Sequence, residues 1–517
     1  MMRPMADADE PPSPELPNNG DLPNDWGEAL AELDGRRVAA RAMGGQERVD
    51  RQHAAGKLDA RARVAYLLDP GSFTEFGTLA GGRVPADAFV AGSGRIGGRA
   101  VMVGAEDFTV LGGTIGAGSH AKRYRLAELA LRDRLPLVML LEGAGYRPTD
   151  RGHGRAPVDL PMQAQCSGKV PLVTAVLGPS AGHGALIAPL SDFTVMTERA
   201  AIFTAGPPVV KASTGEDVTK EELGGPGVAI ASGLIHNCVA SDGDALDQVR
   251  QYLSFFPPSA WSYPPVAPPG PDQGPRALDE VLAVVPRDNR QIYDMARIVD
   301  ALVDRGDWLE IRPQHGRAII CALGRLGGHP VAVVANQPRV LAGAIDAAAA
   351  GKAAHFISVA DAFHLPLVFL ADNPGMLPGT GSERAGVLRA GARMFAAQSL
   401  ATTPKLHVTL RKAYGFGSLV MSMVSFDGQS ATFAFPGVTL GAMGADASIQ
   451  ASRATAEAAD EVRQAELDAS WRSAAGLGFD EILDPRELRN ALLEALGRAI
   501  GHRQGTAAPV TRTAIPL

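Results

Sequence analysis

The sequence predicts an α/β protein of two tandem domains built on one plan, and three observations lead there. First, GRIGGRAVMVGAEDFTVLGGTI at residues 94–115 overlays GRLGGHPVAVVANQPRVLAGAI at residues 324–345, an offset of 230. The same offset carries LPLVMLLEGAG, from Leu135, onto LPLVFLADNPG, from Leu365. PLVTAVLGPSAGHG from Pro171 then meets PKLHVTLRKAYGFG from Pro404 at an offset of 233. Glycines and a Leu-Pro-Leu-Val strand start recur at equivalent places, so a duplicated domain is the simplest account. Second, short β-branched runs alternate with helical stretches, as strands joined through helices require. Third, PPSAWSYPPVAPPGPDQGP at residues 257–275 holds too much proline for a helix or a central strand, and divides the halves.

Along the chain, residues 1–25 (MMRPMADADEPPSPELPNNGDLPND) lack a basic region followed by an apolar core, so they read as a disordered tail rather than a secretory signal. The first domain is expected over 26–256, with a strand at 100–103. Within 121–134, Tyr124, Leu126, Leu129 and Leu131 fall among Lys122, Arg123, Arg125 and Arg132, which predicts a helix with a basic face. It feeds the apolar strand 137–141. After the 257–275 linker, the second domain is expected over 276–517, with a strand at 331–334 and helical patterns at 451–474 and 485–500. Asp484 reads as an N-cap for the last of these, with Pro485 at the first helical position.

Composition narrows function. At 517 residues, the chain exceeds what one core usually supports. Lys plus Arg is 49 against 56 Asp plus Glu, a net charge of −7, so no global basic field is available for nucleic acid or an anionic membrane. No apolar run reaches membrane-helix length, and a cytoplasmic location is the default. Cys166, Cys238 and Cys321 fit neither a disulfide framework nor a zinc pair and are expected to pack in the interior. GxxxxGK[ST] and HExxH are absent, and the histidines show no metal-ligand spacing, so no metal is predicted.

The chemistry is expected at two glycine elbows. Ser180-Ala181-Gly182-His183-Gly184 and Ala413-Tyr414-Gly415-Phe416-Gly417 each follow an apolar strand and precede a helix-compatible stretch. Such a turn lets a ligand approach closely and offers unpaired N–H groups to an oxyanion. A second turn in each half, Glu142-Gly143-Ala144-Gly145-Tyr146 and Asp372-Asn373-Pro374-Gly375-Met376, ends a strand and can add a donor at the same point. Removing one such donor typically costs about 2.7–4 kcal/mol of transition-state stabilisation. His183 can serve as a general base, but its repeat partner Phe416 cannot, which favours a backbone role. Lys122, Arg123 and Arg125 suit the phosphates of a nucleotide-containing ligand.

Several long motifs, in order, resemble the carboxyltransferase (β) subunits of biotin-dependent acyl-CoA carboxylases of the propionyl-CoA carboxylase type. They include GKLDARARVAYLLDPGSFTEFG from Gly56, SAGHGALIAPLSDFTVM from Ser180, GPPVVKASTGEDVTKEELGG from Gly206 and YDMARIVDALVDRGDWLEI from Tyr293. In the second half come ANQPRVLAGAID from Ala335, DNPGMLPGTGSERAGVLRAGA from Asp372 and RKAYGFGS from Arg411.

The resemblance implies two crotonase-like domains of repeated β-β-α units, assembled as a homohexamer (a trimer of dimers), with sites between the first half of one subunit and the second half of another. It implies transfer of a carboxyl group from carboxybiotin to the α-carbon of an acyl-CoA. The biotin carrier and biotin carboxylase would be partners, because no MKM biotinylation sequence occurs here. By the family pattern, Gly182 and His183, with Gly145 or Tyr146, face the thioester oxygen. Phe416 and Gly417, with Gly375 or Met376, face the biotin ureido oxygen.

This chain departs from the pattern at three places. EGAGYRPTDRG replaces DSGGARIQEG, Gly182-His183-Gly184 replaces Gly-Gly-Ala, and Gly415-Phe416-Gly417-Ser418-Leu419 replaces Gly-Gly-Ala-Tyr-Asp. Leu419, with Ser418, stands where the family sets acyl-chain preference, which implies a substrate longer than the shortest acyl groups. Alternatives are a decarboxylase or transcarboxylase subunit, and a diverged non-catalytic scaffold whose His183, Phe416 and Glu142 loop block the pocket.

Overall fold

The computed structural model describes residues 26–147, 158–423 and 428–510. The proposed tail at 1–25 therefore lies outside the described residues. Two eight-stranded sheets account for the strands of the two halves. The first comprises β1 (Thr74–Glu75), β2 (Phe89–Ile96), β3 (Arg99–Glu106), β4 (Leu137–Gly143), β5 (Leu172–Ala181), β6 (Phe193–Thr197), β7 (Ala201–Phe203) and β8 (Asn237–Val239). The second comprises β9 (Trp308–Ile311), β10 (Ile319–Leu326), β11 (His329–Asn336), β12 (Leu367–Asn373), β13 (Lys405–Tyr414), β14 (Ala431–Ala434), β15 (Thr439–Gly441) and β16 (Glu481–Ile482).

Their orders are β1-β2-β3-β4-β5-β6-β8, with β7 on β5, and β9-β10-β11-β12-β13-β14-β16, with β15 on β13. The repeat read from sequence is thus a repeat of topology, and the fold is crotonase-like α/β. In each half, an antiparallel hairpin leads into parallel strands. Gly97-Gly98 and Gly327-Gly328, all at positive φ, close the two hairpins. Paired positive φ suits the right-handed twist of the flanking strands. The amides of each glycine pair donate to one carboxylate, Asp69 in the first half and Asp304 in the second.

The strands are buried on both faces, which is why they read as near-continuous apolar runs. One core cluster runs through both halves: Val103, Leu140, Phe193 and Tyr252 pack in the same body as Leu309, Leu323 and Phe363. Between Phe255 and Asp279, no helix or strand is formed.

Three expectations change. The basic helix spans Ala117–Asp133, but Lys122 and Arg123 are buried rather than on its open face. Lys122 Nζ donates to the carbonyls of Ala86 and Phe89, and Arg123 pairs with Glu106. Long aliphatic stems let these cations reach interior acceptors, which helical periodicity alone does not reveal. The pattern at 451–474 breaks into helices Ala445–Ser452, Ala456–Leu467 and Ala469–Ala475. The break comes at Arg453, which is left-handed, and at Thr455, whose side chain caps the next helix. Of the cysteines, Cys166 and Cys321 are buried, with burial pushing both thiols up to about 12, whereas Cys238 is only half-buried. Asp484 does cap as expected, accepting from the Arg486 amide at 2.9 Å, with Pro485 starting a short 3-10 turn before helix Leu488–Ile500.

Candidate active site

Both elbows form. β5 ends at Ala181 and a short helix begins at Gly182; β13 ends at Tyr414 and a short helix begins at Gly415. Gly182 has φ +58 and Gly415 φ +51, the left-handed backbone that an abrupt strand-to-helix turn needs. The first amides of each helix have no acceptor within their own turn.

The accompanying turns lie against the elbows. A Cβ placed on Gly145 would come 3.1 Å from the Ala181 carbonyl oxygen. A Cβ on Gly417 would come 2.6 Å from Gly375 Cα and 2.3 Å from Asn373 Oδ1, so only glycine permits this approach. The direction of the turn amides follows from their peptide planes. The Gly145 carbonyl accepts from Ile115 N at 2.8 Å, and the Gly375 carbonyl accepts from Ile345 N at 3.1 Å. With every peptide trans among the described residues, the N–H of the following residue points the opposite way. The amides of Tyr146 and Met376 therefore point away from Ile115 and Ile345. Gly375 is not a second donor, because its N–H is taken by Asn373 Oδ1 at 3.1 Å. Within the pair Gly375/Met376 the Gly375 amide is already satisfied, whereas the Tyr146 and Met376 amides point away from the hydrogen bonds that Gly145 and Gly375 make.

Buried charge holds the strand ends. Glu142 accepts from Gln52 Nε2 at 2.7 Å and Lys57 Nζ at 2.5 Å, and pairs with Arg63 at 2.6 Å. Its amide donates to Glu106, whose acidity burial weakens despite the Arg123 guanidinium beside it. In the second half, Asp372 pairs with Arg411 at 2.7 Å, and its amide donates to Asn336. Glu142 is thus a strut inside the scaffold, and its side chain does not fill the site. The part of that loop at 148–157 lies outside the described residues.

The other predicted site residues divide. Phe416 and Met376 both pack toward Gly391 of helix Val387–Ser399, and the Phe416 ring lies 6.1 Å from that of Phe395. Ser418 is buried, with its hydroxyl donating to the Gly415 carbonyl at 2.7 Å, so it braces the elbow rather than facing a ligand. Leu419 is 37% exposed. Lys122 and Arg123 are both internally paired, which removes them from the phosphate-binding role.

Sequence reasoning missed His120 and Asp159. His183 Nε2 lies 2.5 Å from Asp159 Oδ1, and His120 Nε2 lies 3.0 Å from the same oxygen. Burial of Asp159 works against ionisation, but its hydrogen bond to His183 and the nearby Arg123 outweigh this and hold its pKa low. The three ligand atoms lie within 4.8 Å of one another and could hold an ion. No local spacing announces the group, since Asp159 is 39 positions from His120 and 24 from His183.

The scaffold is thus a twinned α/β fold with a strand–glycine–helix elbow at the same place in each copy. The chain belongs to the carboxyl transferase domain family, which matches residues 51–497. It is 36% identical to the methylmalonyl-CoA carboxyltransferase 12S subunit of Propionibacterium freudenreichii subsp. shermanii, over 92% of this chain and 94% of that one. It is 37% identical to the mitochondrial propionyl-CoA carboxylase beta chain of Sus scrofa, over 88% of each. A crystal structure of the transcarboxylase 12S hexamer with hydrolysed methylmalonyl-coenzyme A bound superposes with a TM-score of 0.85 at 35% identity, covering 94% of this chain and 98% of that one. The propionyl-CoA carboxylase type of carboxyltransferase subunit expected from the motifs is thereby shown. No helix among the described residues is long and apolar enough to cross a membrane.

Proposed function

We propose that this chain moves a carboxyl group between carboxybiotin on a partner carrier and the α-carbon of an acyl-CoA, working as a hexamer like the transcarboxylase 12S relative. The observation that carries this reading is the pair of equivalent strand–glycine–helix elbows, each with a turn amide beside it. Bound carboxybiotin supplies CO2 and the base for the α-proton. The chain's residues position and stabilise charge. Gly182 and His183 amides, joined by Tyr146, receive the thioester oxygen as it becomes enolate-like. Phe416 and Gly417 amides, joined by Met376, form a cradle of matching shape for the ureido oxygen. Preformed N–H donors serve developing charge without reorganising, so no side-chain acid or base is needed for these steps. In this reading, the first half of one subunit faces the second half of another, and a biotin carboxylase is a separate partner.

The cradles do not dictate direction, and the likeness to a 12S transcarboxylase subunit supports reverse transfer with a suitable partner. The scaffold reading loses ground because His183 is held by Asp159 and Phe416 packs near Phe395. Purification with co-eluting partners, then ATP- and bicarbonate-dependent carboxylation of acetyl-, propionyl-, butyryl- and longer acyl-CoA, tests the reading. Carboxylated product is expected, with Leu419→Asp shifting the profile toward shorter chains. A biotinylated partner that charges normally but carboxylates no member of the panel would overturn it.

A further inference from the structure

We infer that His120, Asp159 and His183 form a binding site for one divalent transition-metal ion of the zinc type, set against the first elbow. Two imidazole nitrogens converge on one carboxylate oxygen, at 3.0 and 2.5 Å. The three ligands come from different elements: His120 from helix Ala117–Asp133, Asp159 from the first position of helix Asp159–Cys166, and His183 from the elbow itself. Three separately anchored side chains meeting at one point are not a solvated surface cluster. Asp159 is fully buried, while the His120 and His183 side chains are 15% and 22% exposed, so the group has a buried anion and an open side.

The chemistry of the donor set fits such an ion. Imidazole nitrogen and carboxylate oxygen are borderline ligands suited to zinc and its neighbours, and two histidines with one carboxylate leave positions open. Zinc bonds of about 2.0–2.1 Å place tetrahedral ligand atoms about 3.3 Å apart, so small side-chain shifts from the present contacts suffice.

Position gives the ion a use. His183 contributes its side chain to the site and, in the carboxyl-transfer reading, its amide to the thioester oxygen. His120, Asp159 and His183 would hold the ion, and in that reading a cation there would add Lewis-acid stabilisation of the thioester oxygen to that of the N–H donors. This use rests on the carboxyl-transfer reading; binding of the ion does not.

The test is metal uptake by the full chain, purified without a histidine tag and dialysed against EDTA. Titration with Co2+, followed by visible absorption, and with Zn2+, followed by metal content, is expected to saturate at one ion per chain. Asp159→Asn, His120→Gln and His183→Gly are each expected to weaken binding at least about 100-fold, the upper end of what losing an outer-shell partner costs. The last of these keeps the backbone N–H at position 183. Absence of saturable uptake at millimolar ion, or uptake that survives all three substitutions, would overturn the inference. Should a variant fail to fold, anomalous scattering at the zinc edge from Zn2+-soaked crystals of the unaltered protein decides, with a peak among the three side chains expected and no peak overturning it. Because uptake is read without turnover, an enzyme that binds the ion but carboxylates nothing would discredit the functional reading alone.

Discussion

At the residue scale, the two elbow glycines are equivalent in sequence but not in their surroundings. A Cβ on Gly182 meets nothing nearer than the Thr204 carbonyl oxygen at 3.5 Å, whereas one on Gly415 would lie 2.7 Å from the Ala442 carbonyl oxygen. Gly182→Ala therefore pays only for the left-handed backbone, about 1–2 kcal/mol. Gly415→Ala adds an overlap with backbone that must move. Thermal unfolding is expected to show the second variant clearly less stable than the first, and equal losses would contradict the asymmetry. Proline cannot be used to delete the amide at 182, because φ +58 lies outside its range. Single residues were the least legible level. The two elbows could be located because glycine marks them, but the destinations of Lys122 and Arg123 depend on what their long stems reach. The His120–Asp159–His183 group required three distant segments to be brought together.

At the scale of elements, the strands were legible because burial on both faces makes them apolar without interruption. The C-terminal helices were not, because a left-handed residue at Arg453 interrupts a sequence whose composition is helical throughout. Joints between elements were equally hidden, and Asp192 is one. Its Oδ2 accepts from the Leu172 amide at 2.7 Å, tying the start of β5 to the start of β6, while Oδ1 has no hydrogen-bond partner among the described residues. Burial pushes this carboxyl up to about 7. The folded state therefore keeps a proton between about pH 4 and 7 that the unfolded chain releases, and stability from this group falls as pH rises through that window. Asp192→Asn retains an acceptor for Leu172 without a charge. It is expected to raise the melting temperature at pH 8 relative to the parent and to gain less at pH 5. A gain that is the same at both values would refute the assignment.

At the scale of the molecule, the duplication was plain in sequence, but the union of the copies was not. Phe193 stacks on Tyr252 at 4.5 Å, Tyr252 on Phe256 at 4.5 Å, and Phe256 meets Phe363 edge-on at 5.5 Å. This aromatic column carries the first half's core into the second. Calorimetry on the full chain is expected to show the two halves melting together in one transition, because neither can open without exposing the shared interior. Two well-separated transitions would show instead that the copies are independent.

That column also limits how the enzyme can be re-engineered. A chimera joining the front copy of one relative to the back copy of another would set foreign surfaces together around Tyr252 and Phe363. Exchange of properties between relatives must therefore proceed loop by loop rather than by trading whole copies.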